Sequence, residues 1–321
     1  MTIGGTENLE AYRDARTAGA EIARRFVELD GRQVSYLTAG DSAAGPTILL
    51  IHGSGVSARY WLNQLRGLGA ALQVMAIDLP GHGESDPIQN ASVETYAEAV
   101  ANFLDALETG PVIVAGHSLG GAVSIALAAR RPDTVRGLVL LSSCAKLPWV
   151  DGSRERLLAY LPGAVRKIVF FSMAKKILFA PGAPGRAVRL AMQELRSCRS
   201  ETTLTDLQAA KTMDLTEQAT RLDVPTLILC GNRDRLTPPA LSEHLSKLIP
   251  RSRLKIIEGA GHMLLLEVPA CVNQEMLNFV GPIVALADVP SFTAVEDRRG
   301  RSLVRRLLDW ARGIRWGLIS T

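Results

Sequence analysis

The chain has 321 residues, 47% hydrophobic and 21% charged, a balance that excludes a disordered or low-complexity protein and fits one large domain with an insertion, or two domains. Its formal charge of +4 is unevenly placed: residues 298–321 hold seven arginines and one acid, Asp309, which leaves −2 for everything before them and excludes a uniformly basic, nucleic-acid-binding body. The opening MTIGGTENLEAYRDARTAGAEIARRF lacks the apolar stretch of a secretory signal, and runs such as PTILLIHG and GLVLLSS are too short to span a membrane, so a cytoplasmic location is the expectation.

After an N-terminal extension, residues 1–24, the stretch RFVELDGRQVSYLTAG (25–40) alternates on both sides of Asp30-Gly31 and predicts an antiparallel hairpin at the leading edge of a sheet. Next come the strand PTILLIHG (46–53), the helix RYWLNQLRGLGA (59–70) and the strand LQVMAIDLPG (72–81), stopped by Pro80-Gly81. SVETYAEAVANFLDAL (92–107) is a helix capped by Ser92, with Tyr96, Val100, Phe103, Leu104 and Leu107 on its apolar stripe. PVIVAGHSLGGAVSIALAARRP then reads as strand, sharp turn and helix, and VRGLVLLSS (135–143) as another strand.

From Ala145 to about Leu215 the strand rhythm breaks into helical patterns split by Pro148, Pro162, Pro181 and Pro184, which predicts a helical insertion. The rhythm resumes with VPTLILCGNRD (224–234), the helix PPALSEHLSKLI (238–249), the strand SRLKIIEGAGH (252–262) and the helix PACVNQEMLNFV (269–280). Alternation of buried strands with helices argues for a mostly parallel sheet with helices on both faces. The four cysteines, Cys144, Cys198, Cys230 and Cys271, show no C-x-x-C spacing and are expected to be free thiols rather than a disulfide framework. None of the five histidines has a metal-ligand spacing with a cysteine or carboxylate, so no metal is expected.

The motif G-x-S-x-G at 116–120 is short, and a serine caught in a glycine turn is the bland reading. Its flanks decide otherwise. The strand VIVAG runs straight into a helix at Ser118, a turn that strains the nucleophile's backbone, while Gly116, Gly120 and Gly121 let strand and helix approach. A serine hydroxyl needs a base, and the base an orienting carboxylate. Asp234 closes one strand and His262 follows another, so both fall on the sheet edge that carries Ser118, in the chain order nucleophile, acid, base. Oxyanion charge calls for two backbone N–H donors: Leu119, opening the helix, and Ser54, in the H-G-S-G loop whose Gly53 and Gly55 permit close approach. His52 reads as an organiser of that loop rather than a proton shuttle.

With these residues the chain resembles an α/β-hydrolase fold enzyme. H-G-S-G (52–55), D-L-P-G-H-G-E-S (78–85), G-H-S-L-G (116–120), G-N-R-D-R-L-T-P (231–238) and G-A-G-H-M-L-L-L-E-V-P (259–269) match in order over roughly residues 25–281. The resemblance implies a core of residues 25–144 and 216–281 with a helical cap, 145–215, inserted after the sixth strand. Asp78 and His82 are expected to shape a loop rather than react. Some relatives take the triad acid from the strand before the cap; here that region, LLSSCAK, has no carboxylate, which favours Asp234. Serine at the elbow disfavours epoxide opening and dehalogenation, which use a carboxylate there.

The expected reaction is hydrolysis of an ester or related acyl bond through an acyl-enzyme, with no cofactor. Alternatives are carbon-carbon bond hydrolysis on the same fold, since H-G-S-G also occurs in that branch, and a ligand receptor or signalling protein that keeps the triad. Trp149, Phe170, Phe171 and other apolar insertion residues, with His117 and Met263, are candidates for a pocket taking a small, mainly hydrophobic substrate, though core packing competes for each. Residues 145–215 carry twelve basic and six acidic residues, a balance that suits anionic substrates or surfaces but is equally a solvated basic face. Beyond a linker from residue 282, the tail places Leu303, Leu307, Trp310, Ile314 and Leu318 on one helical stripe beside its arginines. This basic amphipathic segment, 298–321, is a candidate for peripheral membrane contact, for docking on the body or a second subunit, or for disorder. The oligomeric state is left open.

Overall fold

The structure, a computed structural model, describes residues 20–40, 47–148 and 163–287, with side chains described throughout these except at 163–170 and 285–287. The chain divides into a compact unit, Met1–Val284, and a second, Ala285–Thr321, of which only the first three residues are described. The tail 298–321 and most of the N-terminal extension therefore lie outside the described residues.

Eight strands form one sheet: β1 (Ile22–Leu29), β2 (Arg32–Ala39), β3 (Ile48–Ile51), β4 (Val74–Ile77), β5 (Val112–His117), β6 (Val135–Leu141), β7 (Thr226–Gly231) and β8 (Ser252–Ile257). Their spatial order is β1-β2-β4-β3-β5-β6-β7-β8; β1–β2 and β2–β4 are antiparallel and every other pair is parallel. The hairpin forms as expected because Asp30 (φ 51°) and Gly31 (φ 71°) both occupy the left-handed region that a two-residue turn of this twist requires. It starts at Ile22, three residues before the predicted start. The central strands read as unbroken apolar runs because helices cover both their faces: every residue of β3, β4, β5 and β7 is buried.

Alternate strand residues feed two cores. Leu49, Ile51, Val114 and Leu140 pack with α2 (Val93–Ala106), α3 (Leu119–Arg130) and α8 (Pro239–Leu248). Ile48, Leu50, Ala115 and Val139 pack on the opposite face, with α1 (Leu62–Leu68), the four-residue helix α9 (Leu264–Glu267) and α10 (Pro269–Ala287). α2 opens with a capping box in which the Ser92 hydroxyl accepts from Thr95 N–H and Ser92 N–H donates to the Thr95 hydroxyl. α10 continues past the predicted end at residue 280 and contains Pro282. The carbonyl that Pro282 cannot bond within the helix belongs to Asn278, an exposed residue.

Between β6 and β7 lie α4 (Gly163–Leu178), α5 (Gly185–Ser197), α6 (Ser200–Thr212) and α7 (Thr216–Arg221). The two ends of this insertion meet, Leu215 N–H donating to Ala145 O at 2.9 Å. All four cysteines are free thiols, Cys144 and Cys230 buried, Cys198 and Cys271 half-buried. Among the described residues no helix is long and apolar enough to cross a membrane, and no cluster of three or more metal-ligating side chains occurs.

Candidate active site

The strand order reverses between β3 and β5, the place where an open α/β sheet leaves a crevice at its carboxyl edge. β3 delivers the 52–55 loop to that crevice and β5 delivers Ser118. Ser118 sits between β5 and α3 at φ 52°, ψ −118°, a conformation costing a non-glycine residue about 1–3 kcal/mol. Neighbours hold it there: Ser118 N–H donates to Leu141 O, and its carbonyl accepts from Gly121 N–H and from the Ser143 hydroxyl, each at 2.9 Å. A Cβ on Gly116 would strike the Gly120 carbonyl, and one on Gly120 would strike the carbonyls of Ile51 and His52, so the elbow closes only with glycine at both positions. Leu119 is the first residue of α3, and its N–H has no helical carbonyl to bond.

The 52–55 loop lies directly against the elbow. A side-chain carbon on Gly53 would sit 3.0 Å from His117 Nδ1 and 3.1 Å from Ser118 Cβ. His52 is fully buried beneath it; its Nε2 accepts from Leu79 N–H at 3.0 Å and its Nδ1 donates to Gly53 O at 2.8 Å. An amide can only donate, so the proton must be on Nδ1. Burial, then the neighbouring His82, push the His52 pKa down to about 4 and keep the ring neutral. Gly55 occupies the left-handed region at φ 73°.

Asp234 and His262 come together from β7 and β8. The turns beyond these strands are cross-linked by Asn232 N–H to Ile257 O and Arg233 N–H to Ala260 O, and Gly231 leaves room for the carbonyls of Ala260 and Gly261. His262 Nδ1 lies 2.9 Å from Asp234 Oδ2, with both side chains almost wholly buried. The other carboxylate oxygen accepts from Leu236 N–H (2.9 Å) and Thr237 N–H (2.8 Å), an Asx-type turn that aims the group. Burial alone would push the Asp234 carboxyl up; the charge and hydrogen bond of His262 and the Thr237 amide hold it below the usual carboxylate range.

His117 and Met263 pack as supports of this loop. His117 Nε2 donates to His262 O at 2.9 Å, and the Met263 sulfur accepts from Tyr60 OH at 3.0 Å. Burial and then His262 lower the His117 pKa to about 3, so that ring too is neutral. Phe171 is half-buried with the Arg196 guanidinium 5.3 Å over its ring. Trp149 and the Phe170 side chain lie outside the described residues. Asp78, in the 78–85 loop, accepts from Ala58 N–H (2.7 Å) and pairs with Arg24 (2.8 Å).

Four residues at the site escaped the sequence reading. The Thr237 hydroxyl lies 2.9 Å from Asp234 Oδ2 and 3.1 Å from His262 Nδ1. Glu267 accepts from Ala180 N–H and Gly261 N–H at 3.0 and 3.2 Å, bracing the histidine loop against the insertion; its sequence signal was a lone acid inside MLLLEVP. Glu194 on α5 accepts from the Ser57 hydroxyl and pairs with Arg59, and Asp206 on α6 pairs with His82, contacts between distant residues that no local pattern announces.

A model of the alpha/beta hydrolase family matches residues 48–274, spanning the elbow, the Asp234 turn and the His262 loop. The chain belongs to the α/β-hydrolase family. As a member it is a hydrolase, and its relatives include the pimeloyl-[acyl-carrier protein] methyl ester esterase of Neisseria meningitidis serogroup C, 35% identical over 224 residues that cover 67% of this chain and 86% of that one. Among solved structures, a thermophilic esterase is 32% identical with a TM-score of 0.71, covering 82% of this chain and 99% of its own. A bacterial membrane phospholipase A is 28% identical with a TM-score of 0.69, covering 87% and 90%.

Proposed function

We propose that the chain is a serine esterase that cleaves an ester or related acyl bond of a small, mainly hydrophobic substrate through an acyl-enzyme on Ser118. The observation that carries this reading is the strained serine at the β5–α3 junction on the same sheet edge as a buried His262–Asp234 pair at 2.9 Å. In it, Ser118 Oγ attacks the carbonyl carbon while His262 Nε2 takes its proton, and Asp234 steadies the imidazolium through Nδ1–H. The oxyanion is held by the N–H groups of Leu119 and Ser54, each such donor being worth about 10²–10³ in rate. His262 then protonates the departing alkoxide, and a water, deprotonated by the same histidine, releases the acid and restores Ser118 Oγ–H.

The names of the relatives support ester chemistry, and the apolar residues of the insertion's first stretch, from Trp149 to Phe179, support a hydrophobic acyl group. A fluorophosphonate probe and p-nitrophenyl esters of graded chain length test the reading on wild type and Ser118→Ala. Serine-dependent labelling and turnover are expected, with Ser118→Ala losing at least about 10⁴-fold in kcat. Equal turnover by the two proteins, or no turnover of any ester by wild type, would remove it.

A further inference from the structure

The Gly53–Ser54 peptide is gripped from below by a core histidine, and the insertion reaches the same loop from the other side. In a trans peptide the carbonyl and the N–H point in opposite directions, so His52, by holding Gly53 O at 2.8 Å, turns the Ser54 N–H away from itself. α6 approaches the same loop, and its Asp206 is completely buried although it belongs to a largely polar helix. Asp206 Oδ2 lies 2.9 Å from His82 Nε2 and Oδ1 accepts from Tyr96 OH at 2.8 Å, while Thr202, one turn earlier on α6, donates to Gly81 O at 3.1 Å. The His82 ring packs on the His52 ring with centroids 4.8 Å apart. Burial would push the Asp206 carboxyl up, but its hydrogen bonds with His82 and Tyr96, together with the nearby Ser54 side chain, hold it below the usual range. The Ser54 side chain thus lies beside the buried Asp206 carboxylate.

We propose that Asp206 is a positioning residue of the oxyanion loop: from the insertion it holds His82 and the Ser54 side chain, fixes the direction of the Ser54 N–H, and makes the anion-stabilising pair complete only when α6 is seated. This rests on the serine-esterase reading above. The insertion then does more than enclose substrate, since it finishes the catalytic machinery of the core.

The test compares wild type, Asp206→Asn, Ser54→Ala, Ser54→Thr and the Asp206→Asn/Ser54→Ala double variant, with Ser118→Ala as the control for the underlying reading. Four quantities are measured: kcat and KM on p-nitrophenyl butyrate, affinity for phenylboronic acid, and thermal midpoint. Phenylboronic acid accepts the Ser118 oxygen at boron and places an oxygen where the oxyanion forms, so it reports on the hole rather than on substrate binding. Asp206→Asn is expected to lower kcat about 10–100-fold with KM within about threefold, and to weaken the boronic acid by a similar factor. Ser54→Ala should lower kcat in the same direction, Ser54→Thr should restore it, and the double variant should be no worse than Asp206→Asn alone.

An Asp206→Asn protein that is less stable yet retains its kcat and boronic acid affinity below its melting point would overturn the proposal and leave the esterase reading standing. So would additive losses in the double variant. Should Asp206→Asn fail to fold, Ser54→Ala decides: an unchanged kcat and boronic acid affinity overturns the link. If wild type shows no Ser118-dependent turnover, the esterase reading fails and takes this proposal with it.

Discussion

Thr237 carries a hydroxyl 3.1 Å from His262 Nδ1 whose single proton can go to Asp234 Oδ2 at 2.9 Å or to Ser142 O at 3.0 Å. A hydrogen bond to a charged group is worth about 1.5–3 kcal/mol, so Thr237→Val should lower kcat by at least about 10-fold with little change in KM, and Thr237→Ser should recover most of it; steady-state kinetics on one ester decides. His52 and His117 make a second residue-scale prediction. Their pKa values are lowered by burial to about 4 and about 3, against 6.5 for the unfolded chain. Below pH 6.5 the unfolded state therefore binds protons that the folded state refuses. Stability contributed by these two rings is complete above that pH and falls on acidification, with a slope approaching about 2.7 kcal/mol per pH unit for two protons between roughly pH 6 and pH 4. Urea midpoints measured from pH 8 to pH 4.5 should show this fall, and a folded His117→Gln variant should show a shallower one; a slope unaltered by the substitution would mean that other groups set the acid limit. Ser118, Asp234 and His262 were legible in the sequence because each stands at the carboxyl end of a recognisable apolar strand. Thr237 and Glu267 were not, because their roles depend on partners that only the folded chain brings near.

At the scale of elements, the elbow is a contact between backbones. α3 reaches β3 so closely that a Cβ on Gly120 would lie 2.8 Å from the carbonyl carbon of Ile51 and nearer still to two oxygens. Backbone cannot swing aside as a side chain can, so Gly120→Ala must push α3 away from the sheet. A loss of roughly 2–4 kcal/mol of stability, as for other strained or overpacked core sites, together with at least a 100-fold loss of kcat, is the expected outcome in chemical denaturation and esterase assays. An alanine variant with wild-type stability and turnover would show that the approach can relax. The same element shows why fold was easier to read than its limits. Strand runs such as ILLI and VIVAG are continuous because parallel strands are covered on both faces, and this marked the sheet. Ends were less legible: β8 stops at Ile257 although the apolar pattern suggested 262, because Ile257 and Ala260 accept instead from Asn232 and Arg233 in the turn beyond β7. α10 overran its predicted end because a single proline costs the helix only one backbone hydrogen bond, here at an exposed position.

At the scale of the whole molecule, the two cores, the crevice and the insertion that touches it all belong to the unit that closes at Val284, and the last core residue of α10 is Val280. The basic stripe of 298–321 falls in the second unit and outside the described residues. Sequence pattern alone speaks for it: Arg305, Arg306 and Arg312, largely off a face of Leu303, Leu307, Trp310, Ile314 and Leu318, suit attraction to an anionic surface, a force that salt screens within about 10 Å at 0.1 M. The insertion, by contrast, is pinned to the core by Asp206 and Glu194 and should behave as part of the body. A chain stopped after Ala287 should therefore keep the kcat and KM of full length on a water-soluble ester while losing co-flotation with vesicles rich in anionic lipid, and added salt should weaken flotation of the full chain. If both chains float equally, the tail has no membrane role and the basic surface of the insertion becomes the candidate contact. If truncation instead lowers kcat or the thermal midpoint, the tail docks on the hydrolase body, and its apolar stripe is buried there.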